Sequence, residues 1–337
     1  MGKKVTIQDI ADKMKIAKST VSKAISGATD ISEETRESIL KCAFEMGYHI
    51  SPERMTRKKN VAILVYGIHY GTSNQFGYEI IAGIQAAAVD NNVGINIITV
   101  TEEQMNSGNY DHLVIGKNYE GIFFLGFRPH IDFIERNKGH NIPMVVLDNY
   151  IENPLVARVG CDNYDGITQA MKHLYSKGHR KIGFLGGEPD SIVTVERRDA
   201  YLDNLADFGL SRSDKLIKYG HFSGKGMKKL ILDMAKVDIT AIVCISDNIA
   251  VTAVKELTKA GYRIPQDISI IGYDNLPISE ACIPELTTVN QNRIHIGKAA
   301  FIAMQQIKSG IHICSVQLHT NLVERKSVAD ISQQKEG

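Results

Sequence analysis

Two hydrophobic stripes near the amino terminus predict a pair of short helices. The stretch VTIQDIADKMKIAKSTVSKAISG, residues 5–27, repeats apolar residues three and four positions apart, first at Ile7, Ile10, Ala11 and Met14 and then at Val21, Ala24 and Ile25. Thr6 is a typical helix cap, with Asp9 three positions later as its capping-box partner. Gly27 supplies a carboxyl-terminal stop for the second helix.

Helices this short bury little surface by themselves, so they need a third helix. Residues 32–46 provide it, with Ser32 as the cap and apolar side chains expected inward at Ile39, Ala43 and Phe44. The second helix then keeps an outward face of polar residues, none of them acidic: Lys18, Ser19, Ser22 and Lys23. A helix-turn-helix protein lays such a face in the DNA major groove. The alternative is a small helical bundle whose second helix is merely solvated.

The segments TIQDIADKMKIAKSTVSKAISG and ISEETRESILKCAFEMGY resemble the head of LacI/GalR-family transcriptional regulators, from Val5 to Tyr48. The resemblance implies that Lys18, Ser19 and Lys23 reach base edges, with the two lysines supplying most of the discrimination. Other polar residues of the head and the basic linker are expected to hold phosphates. The full set of expected DNA-binding residues is Thr6, Lys18, Ser19, Thr20, Ser22, Lys23, Tyr48, Arg54, Met55 and Arg57.

The linker that follows, residues 49–60, is basic and departs from the family pattern. Ser51, Pro52 and Glu53 read as a cap, a first-turn proline and a first-turn acid, which predicts a hinge helix of about two turns. A helix of that length folds only against DNA or against its copy in a dimer. Family members carry an Ala and a Leu here that wedge into the minor groove, and this sequence lacks both. Within the predicted hinge helix, Met55 is the one large apolar residue that could act as a wedge.

From Val61 the pattern changes to short apolar runs separated by amphipathic helical segments. The first set of runs covers residues 61–67, 95–100, 121–126 and 143–148, and the second covers 158–162, 181–187, 217–222, 241–246 and 268–274. Apolar runs without alternation are typical of parallel strands that are buried on both faces. Ligands bind beyond the carboxyl ends of such strands. Two consecutive α/β sets therefore predict two lobes with a ligand cleft between them.

The resemblance extends through this second part of the chain, as far as Ser327, on the phrases KHLYSKGHRKIGFLGG and DISIIGYDN…PELTTV. It implies an all-α helix-turn-helix head followed by an α/β, two-lobed core with parallel sheets, like that of periplasmic binding proteins. The helix after PELTTVNQ would return to the first lobe and the last strand to the second, so that three crossings hinge the lobes. The expected divisions are 1–48 for the head, 49–60 for the linker and 61–330 for the effector-binding and dimerisation domain, with a first lobe of about 61–158 plus 291–313 and a second of about 159–290 plus 314–330.

Charged residues stand where two of the strands end. Asp148 closes the run MVVLD and Asp274 closes IIGYD, at the edge where parallel sheets bind ligands. By resemblance, Arg197 matches the effector-binding arginine of the family, and Phe76 and Phe222 match its ring-stacking positions. The expected effector-binding set is Phe76, Asp148, Arg197, Phe222, Ser246 and Asp274. Acids, one arginine and two aromatic rings favour a sugar or polyol over a purine.

These candidate residues also have purely structural interpretations. Turn or cap roles are the alternative for Asp148, Asp247 and Asp274, core positions for Phe76 and Phe222, and a solvated helix position for Arg197. For Asp247 the capping role is the preferred interpretation. A register displaced by one residue would put Arg198 in the place of Arg197.

Composition narrows the class of protein further. Residues 1–60 hold 12 Lys and Arg against 8 Asp and Glu, a net charge of +4, whereas the rest of the chain carries −3, which fits a head that meets phosphates. The 5 cysteines are scattered without a CxxC pair, so we expect no metal site and no cofactor. Four of them lie in or beside apolar runs, which predicts buried free thiols. The sequence has no apolar run long enough to span a membrane and no signal-peptide core, which indicates a cytoplasmic protein.

The motifs predict a regulator and not an enzyme. Neither a phosphate-binding glycine loop with its lysine nor a nucleophile motif stands out. We expect a homodimeric repressor of carbohydrate-utilisation genes that binds palindromic double-stranded DNA and is controlled by a sugar-like effector in the cleft. The head disfavours a transport receptor, which would need the cleft alone. A constitutive DNA-binding regulator with a vestigial cleft stays open, because the linker is atypical.

Overall fold

The structure is a computed structural model, and it describes residues 5–26, 28, 31–48, 60–115, 117, 119–139 and 141–333. The described residues form two compact units, a small one up to Asn60, with residues 92–94 grouped with it, and a large one from Val61 onward. No helix among the described residues is long and apolar enough to cross a membrane.

The small unit is a three-helix head, with helices α1 (Ile7–Met14), α2 (Lys18–Ser26) and α3 (Glu33–Glu45). The predicted capping box is confirmed: the Thr6 hydroxyl accepts from the Asp9 amide at 3.3 Å, and the Asp9 carboxylate accepts from the Thr6 amide at 2.7 Å. The Ser32 cap is confirmed as well, because its hydroxyl accepts from the Thr35 amide at 3.3 Å.

The core of the head forms from the predicted stripes of all three helices. Its buried residues are Ile10, Ala11, Val21, Ala24, Ile25, Ile39 and Ala43. The expectation for Phe44 is wrong, because 84% of its surface is exposed. Consecutive helix positions differ by about 100°, so the inward position of Ala43 turns Phe44 away from the core.

The first sheet of the large unit has the order β11-β5-β4-β3-β1-β2. Its strands are β1 (Asn60–Val65), β2 (Gly94–Thr99), β3 (Tyr119–Leu125), β4 (Met144–Leu147), β5 (Val156–Cys161) and β11 (Ser315–Leu318). The helices that go with them are α4 (Phe76–Asp90), α5 (Glu102–Ser107), α6 (Ile131–Lys138) and α12 (Arg293–Lys308). Strands β3, β4 and β5 pair in parallel, as the continuous apolar runs predict. Strand β11 also pairs in parallel with β5.

The second sheet has the order β12-β10-β9-β8-β6-β7. Its strands are β6 (Ile182–Gly186), β7 (Ile217–Tyr219), β8 (Ala241–Cys244), β9 (Ser269–Asp274), β10 (Thr287–Asn290) and β12 (Asn321–Val323). Its helices are α7 (Asn163–Ser176), α8 (Ile192–Asp207), α9 (Lys228–Ala235), α10 (Asp247–Lys259) and α11 (Pro277–Ala281). Strand β12 joins β10 antiparallel, and the other pairings are parallel. We call the two sheets with their helices the first and second lobes.

Strand pairing corrects two of the expected lobe boundaries. The division at residue 158 falls inside β5, which runs to Cys161, and the division at 313 precedes β11, which pairs with β5 in the first sheet. The single final strand expected for the second lobe is two strands, with the crossing between Leu318 and Asn321. Apolar patterning marks a buried strand but carries no information about which sheet the strand joins.

Helices α4 and α12 approach each other closely on the first lobe. A Cβ on Gly83 would overlap the backbone of Ile294, and a Cβ on Gly297 would overlap the backbone of Ile80. The two glycines let the helix backbones touch, which fixes α12 in the first lobe although its chain neighbour β10 belongs to the second.

Candidate functional sites: a polar helix face and an interlobe cleft

The second helix of the head buries one side and presents a polar side to solvent. Val21, Ala24 and Ile25 are buried, whereas Lys18, Ser19, Ser22 and Lys23 are exposed and Thr20 is half-buried. This arrangement agrees with the outward face predicted for α2, and the first turn of α2 contains no acidic residue. Such a face can donate hydrogen bonds to base edges and phosphates without repelling them.

The other expected DNA-binding residues are placed differently. Thr6 is exposed at the start of α1, and its hydroxyl takes part in the capping box. Tyr48 is half-buried against the core of the head, and its amide donates to the Ala43 carbonyl at 2.9 Å. Arg54, Met55 and Arg57 lie outside the described residues, as do all other linker residues except Asn60.

In the large unit, Asp148 lies directly after the carboxyl end of β4, an internal strand of the first sheet. Its backbone is left-handed, with φ of 51°, and a Cβ on Gly160 would overlap its carboxylate, so glycine is needed beside it. The Oδ1 atom is buried and has no hydrogen-bond partner among the described residues. Burial raises the pKa of Asp148 to about 6, against the opposing attraction of Arg197 and Arg158. An unsatisfied buried acceptor of this kind has a free-energy cost that a ligand hydroxyl would relieve.

Asp274 is the last residue of β9, at the carboxyl end of an internal strand of the second sheet. It is buried, its φ is 113°, and its carboxylate accepts from the Gln291 side-chain amide at 2.5 Å. Its backbone carbonyl accepts from Arg293 of α12. Burial raises the pKa of Asp274 to about 6, with Arg197 and Arg293 opposing. Asp274 is therefore a carboxylate held at the junction of the lobes.

Arg197 lies in the first turns of α8 and is only 3% exposed, so its interpretation as a solvated helix residue is wrong. Its Nε donates to Asn163 Oδ1 at 2.7 Å and its Nη1 to the Ile245 carbonyl at 2.5 Å. The guanidinium carbon lies 3.5 Å from the ring centroid of Tyr273, a cation–π contact. Arg198, the register alternative, instead pairs with Asp199 at 2.6 Å near the surface.

The Ser246 hydroxyl is committed within the second lobe. It accepts from the Ile249 amide at 3.3 Å as the cap of α10 and donates to the Phe222 carbonyl at 2.9 Å. The capping role expected of Asp247 is therefore wrong, because its neighbour caps the helix. Asp247 is fully buried and accepts from the Leu276 amide at 2.7 Å and the Thr288 hydroxyl at 2.6 Å, which ties together three segments of the lobe.

The two aromatic candidates lie on different lobes of the large unit. Phe76 is the first residue of α4 and Phe222 follows β7, with its ring against Gly187. Both rings are half-buried, so neither is one of the fully buried core residues. Their stacking on a ligand stays a prediction.

Sequence reasoning missed the side chains that hold Arg197 and Asp274. They are Arg158, Asn163, Glu196, Tyr273, Gln291 and Arg293, all of which contact one another or the two candidate residues. The available signal was a run of polar residues at buried strand ends, such as Tyr273 beside Asp274. The contacts themselves join residues that are far apart in the chain.

Comparison with known proteins supplies a family resemblance for both units. Residues 6–51 match the family "Bacterial regulatory proteins, lacI family", and residues 171–328 match "Periplasmic binding protein-like domain". The chain is 29% identical over 314 residues to the HTH-type transcriptional repressor CytR of Escherichia coli (strain K12), covering 92% of each chain. It is 28% identical over 333 residues to the HTH-type transcriptional repressor PurR of Vibrio atlanticus (strain LGP32), covering 97% of this chain and 99% of that one.

Two solved structures have the same fold over nearly the whole chain. A lac repressor dimer bound to operator and the anti-inducer ONPF matches with a TM-score of 0.77 and 22% identity, covering 97% of this chain and 100% of that one. The transcriptional regulator CelR in complex with cellobiose matches with a TM-score of 0.70 and 24% identity, covering 96% and 100%.

Proposed function

The chain belongs to the LacI family of bacterial transcriptional regulators, which are repressors and not enzymes, and from this premise we propose how it works. It is a DNA-binding repressor whose affinity for its operator is set by a small sugar-like effector bound between the two lobes. The observation that carries the proposal is the presence, in one chain, of an exposed polar helix face in a three-helix head and a two-lobed core with buried charges at the lobe junction.

For DNA binding, the α2 face is the reading surface. Lys18, Ser19 and Lys23 contact base edges, and Thr6, Thr20 and Ser22 contact phosphates. Two copies of the chain present two such faces to the half-sites of a palindrome, so the repressor acts as a homodimer and does so where the chromosome is, in the cytoplasm. The lac repressor structure with the same fold is a dimer on its operator.

For effector binding, the charged cluster at the lobe junction is the recognition site. Asp148 and Asp274 accept hydrogen bonds from ligand hydroxyls, and Arg197 donates. Phe76 and Phe222 cover the ring faces, with Ser246 at the rim. The buried, unpartnered Oδ1 of Asp148 supports this role, because an acceptor left unsatisfied costs free energy unless something fills the cleft. CelR, which has the same fold, binds cellobiose.

Control of DNA binding follows from linkage between the two sites. An effector that prefers one arrangement of the lobes shifts the dimer toward that arrangement and changes how well both heads dock together. The shift cannot exceed the difference in effector affinity between the two arrangements. A constitutive regulator with a vestigial cleft fits less well, because it would have no use for a buried, unsatisfied carboxylate at the junction.

Two measurements test the proposal. Selection of genomic fragments with the full-length protein should enrich a palindromic sequence, and gel-shift affinity for it should fall steeply with salt. A thermal-shift panel of mono- and disaccharides, polyols, sugar phosphates and nucleosides should give one compound class that raises Tm. A protein that ignores DNA at low salt would refute the DNA-binding role, and a panel whose only stabilising compounds are nucleosides would refute the sugar assignment.

A further inference from the structure

An ion pair joins the two lobes directly beside Arg197. Arg158, on β5 of the first sheet, donates through both terminal nitrogens to the carboxylate of Glu196, at 2.6 and 2.7 Å. Glu196 lies on α8, which packs against β6 and α7 of the second lobe. We propose that Arg158 and Glu196 are positioning residues which hold the lobes in one arrangement and orient Arg197 within it. The inference rests on the proposed role of Arg197 in effector binding.

The arginine of this pair is shielded from solvent, whereas the glutamate is partly accessible. The side chain of Arg158 is 10% exposed and that of Glu196 is 31% exposed. Although burial raises the pKa of Glu196, hydrogen bonds from Arg158 and Asn163 hold it below its ordinary value. The carboxylate therefore stays ionised at neutral pH, and both of its oxygens are engaged by Arg158 in a two-pronged contact.

Asn163 connects this pair to Arg197. Its Nδ2 donates to Glu196 Oε2 at 2.7 Å, and its Oδ1 accepts from Arg197 Nε at 2.7 Å. Asn163 is the first residue of α7, directly after the point where the chain crosses from β5 into the second lobe. The chain of contacts Arg158–Glu196–Asn163–Arg197 thus begins in the first lobe, passes the hinge and ends at the proposed effector-binding guanidinium.

Relative movement of the lobes has to disturb this chain of contacts. Hydrogen bonds weaken steeply when their geometry departs from about 2.7–3.2 Å and near-linear alignment. A rotation that moves β5 away from α8 would leave Arg158 and Glu196 without their partner in a mostly buried site, which is unfavourable. The pair therefore restrains rotation at the hinge. Breaking it would change the position of Arg197, because Asn163 contacts both Glu196 and Arg197.

A second link crosses the lobes at another place and does not replace the first. Arg293 of α12 pairs with Glu79 of α4 at 2.9 Å and donates to the backbone carbonyl of Asp274 in the second lobe. This link acts on a backbone atom of β9, whereas the Arg158 pair acts on the neighbour of Arg197 in α8. Of these two links, only the Arg158 pair connects to Arg197.

The decisive variant replaces both partners, Arg158→Met with Glu196→Met. Exchange of a buried ion pair for apolar side chains of similar length leaves a fold intact in many proteins, whereas removal of one partner strands a buried charge. The matched control is Arg263→Met with Asp267→Met, because that exposed pair, at 2.6 Å, lies within the second lobe alone. Neither substitution touches a residue that we place in the effector or DNA site.

The first readout is the distance between the lobes in the full-length protein. Spin labels on ketone-bearing unnatural residues at Glu135 of α6 and Lys172 of α7, both exposed, report it by pulsed electron spin resonance. Dilution with unlabelled chain keeps one labelled copy per dimer. We expect the double variant to raise the population outside the main wild-type distance by at least about tenfold, as for a coupling of ordinary size. The control should keep the wild-type distribution.

The second readout is the Nε–H resonance of Arg197, assigned by its loss in Arg197→Lys. The chemical shift of this resonance should change in the double variant and stay unchanged in the control. A general loss of stability would not produce this difference. A folded double variant with an unchanged distance distribution and an unchanged Arg197 resonance would overturn the proposal. If the double variant does not fold, Glu196→Gln takes its place, and the same two results decide. Neither readout uses DNA or effector, so failure of the proposed function would leave these outcomes standing on their own.

Discussion

At the scale of single residues, the charged side chains proposed to bind the effector differ in how many of their polar atoms already have hydrogen-bond partners in the fold. Arg197 uses Nε and Nη1 on Asn163 and the Ile245 carbonyl, and its ring contact with Tyr273 fixes its plane. Asp148, in contrast, keeps a buried oxygen without a partner among the described residues. We therefore expect the carboxylates to supply much of the ligand affinity and the arginine to fix the orientation of the ligand.

Replacement of Asp274 by Asn removes a charge while it keeps the size of the side chain. We expect the affinity for the ligand identified in the thermal-shift panel to fall by roughly tenfold to a hundredfold, because a hydrogen bond to a charged group is worth about 1.5–3 kcal/mol. Isothermal titration measures it. Asp267→Asn, at an exposed ion pair of the same lobe, is the control and should bind normally. Equal ligand affinity in both variants would remove Asp274 from the site.

The pH dependence of ligand affinity follows from the same carboxylates. Burial raises the pKa of Asp148 and of Asp274 to about 6, and the ionised form is the one that accepts from ligand hydroxyls. Affinity should be level above about pH 7 and fall as the pH passes below 6. The stability of the unliganded protein should change in the opposite direction. Because the folded-state pKa of Asp148 lies above the ordinary value of 3.8, the folded state binds a proton more tightly than the unfolded state does. The free energy of unfolding should therefore rise as the pH falls from about 7 to 4. A flat affinity profile between about pH 5 and 8 would contradict this assignment.

At the scale of secondary-structure elements, two contacts between helices and their surroundings matter most. One is the polar face of α2, which we propose to contact DNA, and the other is the close crossing of α4 and α12 that anchors a returning helix in the first lobe. Each depends on small or polar residues at fixed positions of a helix. One substitution in each can therefore be tested separately, the first for operator binding and the second for stability.

On α2, Lys23→Ala should weaken operator binding by about 1–3 kcal/mol and relax base preference at one position of each half-site. The reason is that a lysine on base edges supplies discrimination that the neighbouring serines cannot. Fluorescence anisotropy with operator and single-base variants measures it. Lys41→Ala, at another exposed lysine on α3, controls for loss of charge. If both variants lose the same affinity for every sequence, Lys23 contributes only charge.

At the α4–α12 crossing, Gly83→Ala should lower the free energy of unfolding of the large unit by about 1–3 kcal/mol, because the added methyl group overlaps the backbone of Ile294. Thermal and chemical unfolding measure it. Gly139→Ala is the control, since a Cβ there meets nothing within 4 Å and its φ of −66° suits alanine. A stable Gly83→Ala variant would mean that the two helices can separate at little cost.

At the scale of the whole molecule, the proposed function requires that the effector and the operator act on the same equilibrium between lobe arrangements. Thermodynamic linkage demands that the factor by which the effector changes operator affinity equals the factor by which the operator changes effector affinity. We expect the two factors to be equal and each to lie between about 5-fold and 150-fold, the usual size of an allosteric coupling. Titration of effector into the free and the operator-bound dimer measures one factor, and anisotropy with and without effector measures the other. Unequal factors would mean that the two ligands act on different equilibria.

Much of the architecture was predictable from the sequence, because local chemistry determines it. The capping box of Thr6 and Asp9, the Ser32 cap and the core stripe of the head need only neighbours within one or two helical turns. Unbroken apolar runs likewise predict most of the buried parallel strands, but β2 and β7, at the ends of the two sheets, are only partly buried. Phe44 was predicted wrongly, because one position along a helix changes the direction of a side chain by about 100°.

The sequence by itself therefore determined the elements, the two-part organisation and the residues at the strand ends. Only the tertiary structure decided which sheet β5 and β11 join, that Ser246 rather than Asp247 caps α10, and that Arg197 is buried against Tyr273. The physical reason is range. Caps and stripes are contacts between near neighbours, whereas strand order and the Arg158–Glu196 pair join residues that are close in space but far apart along the chain.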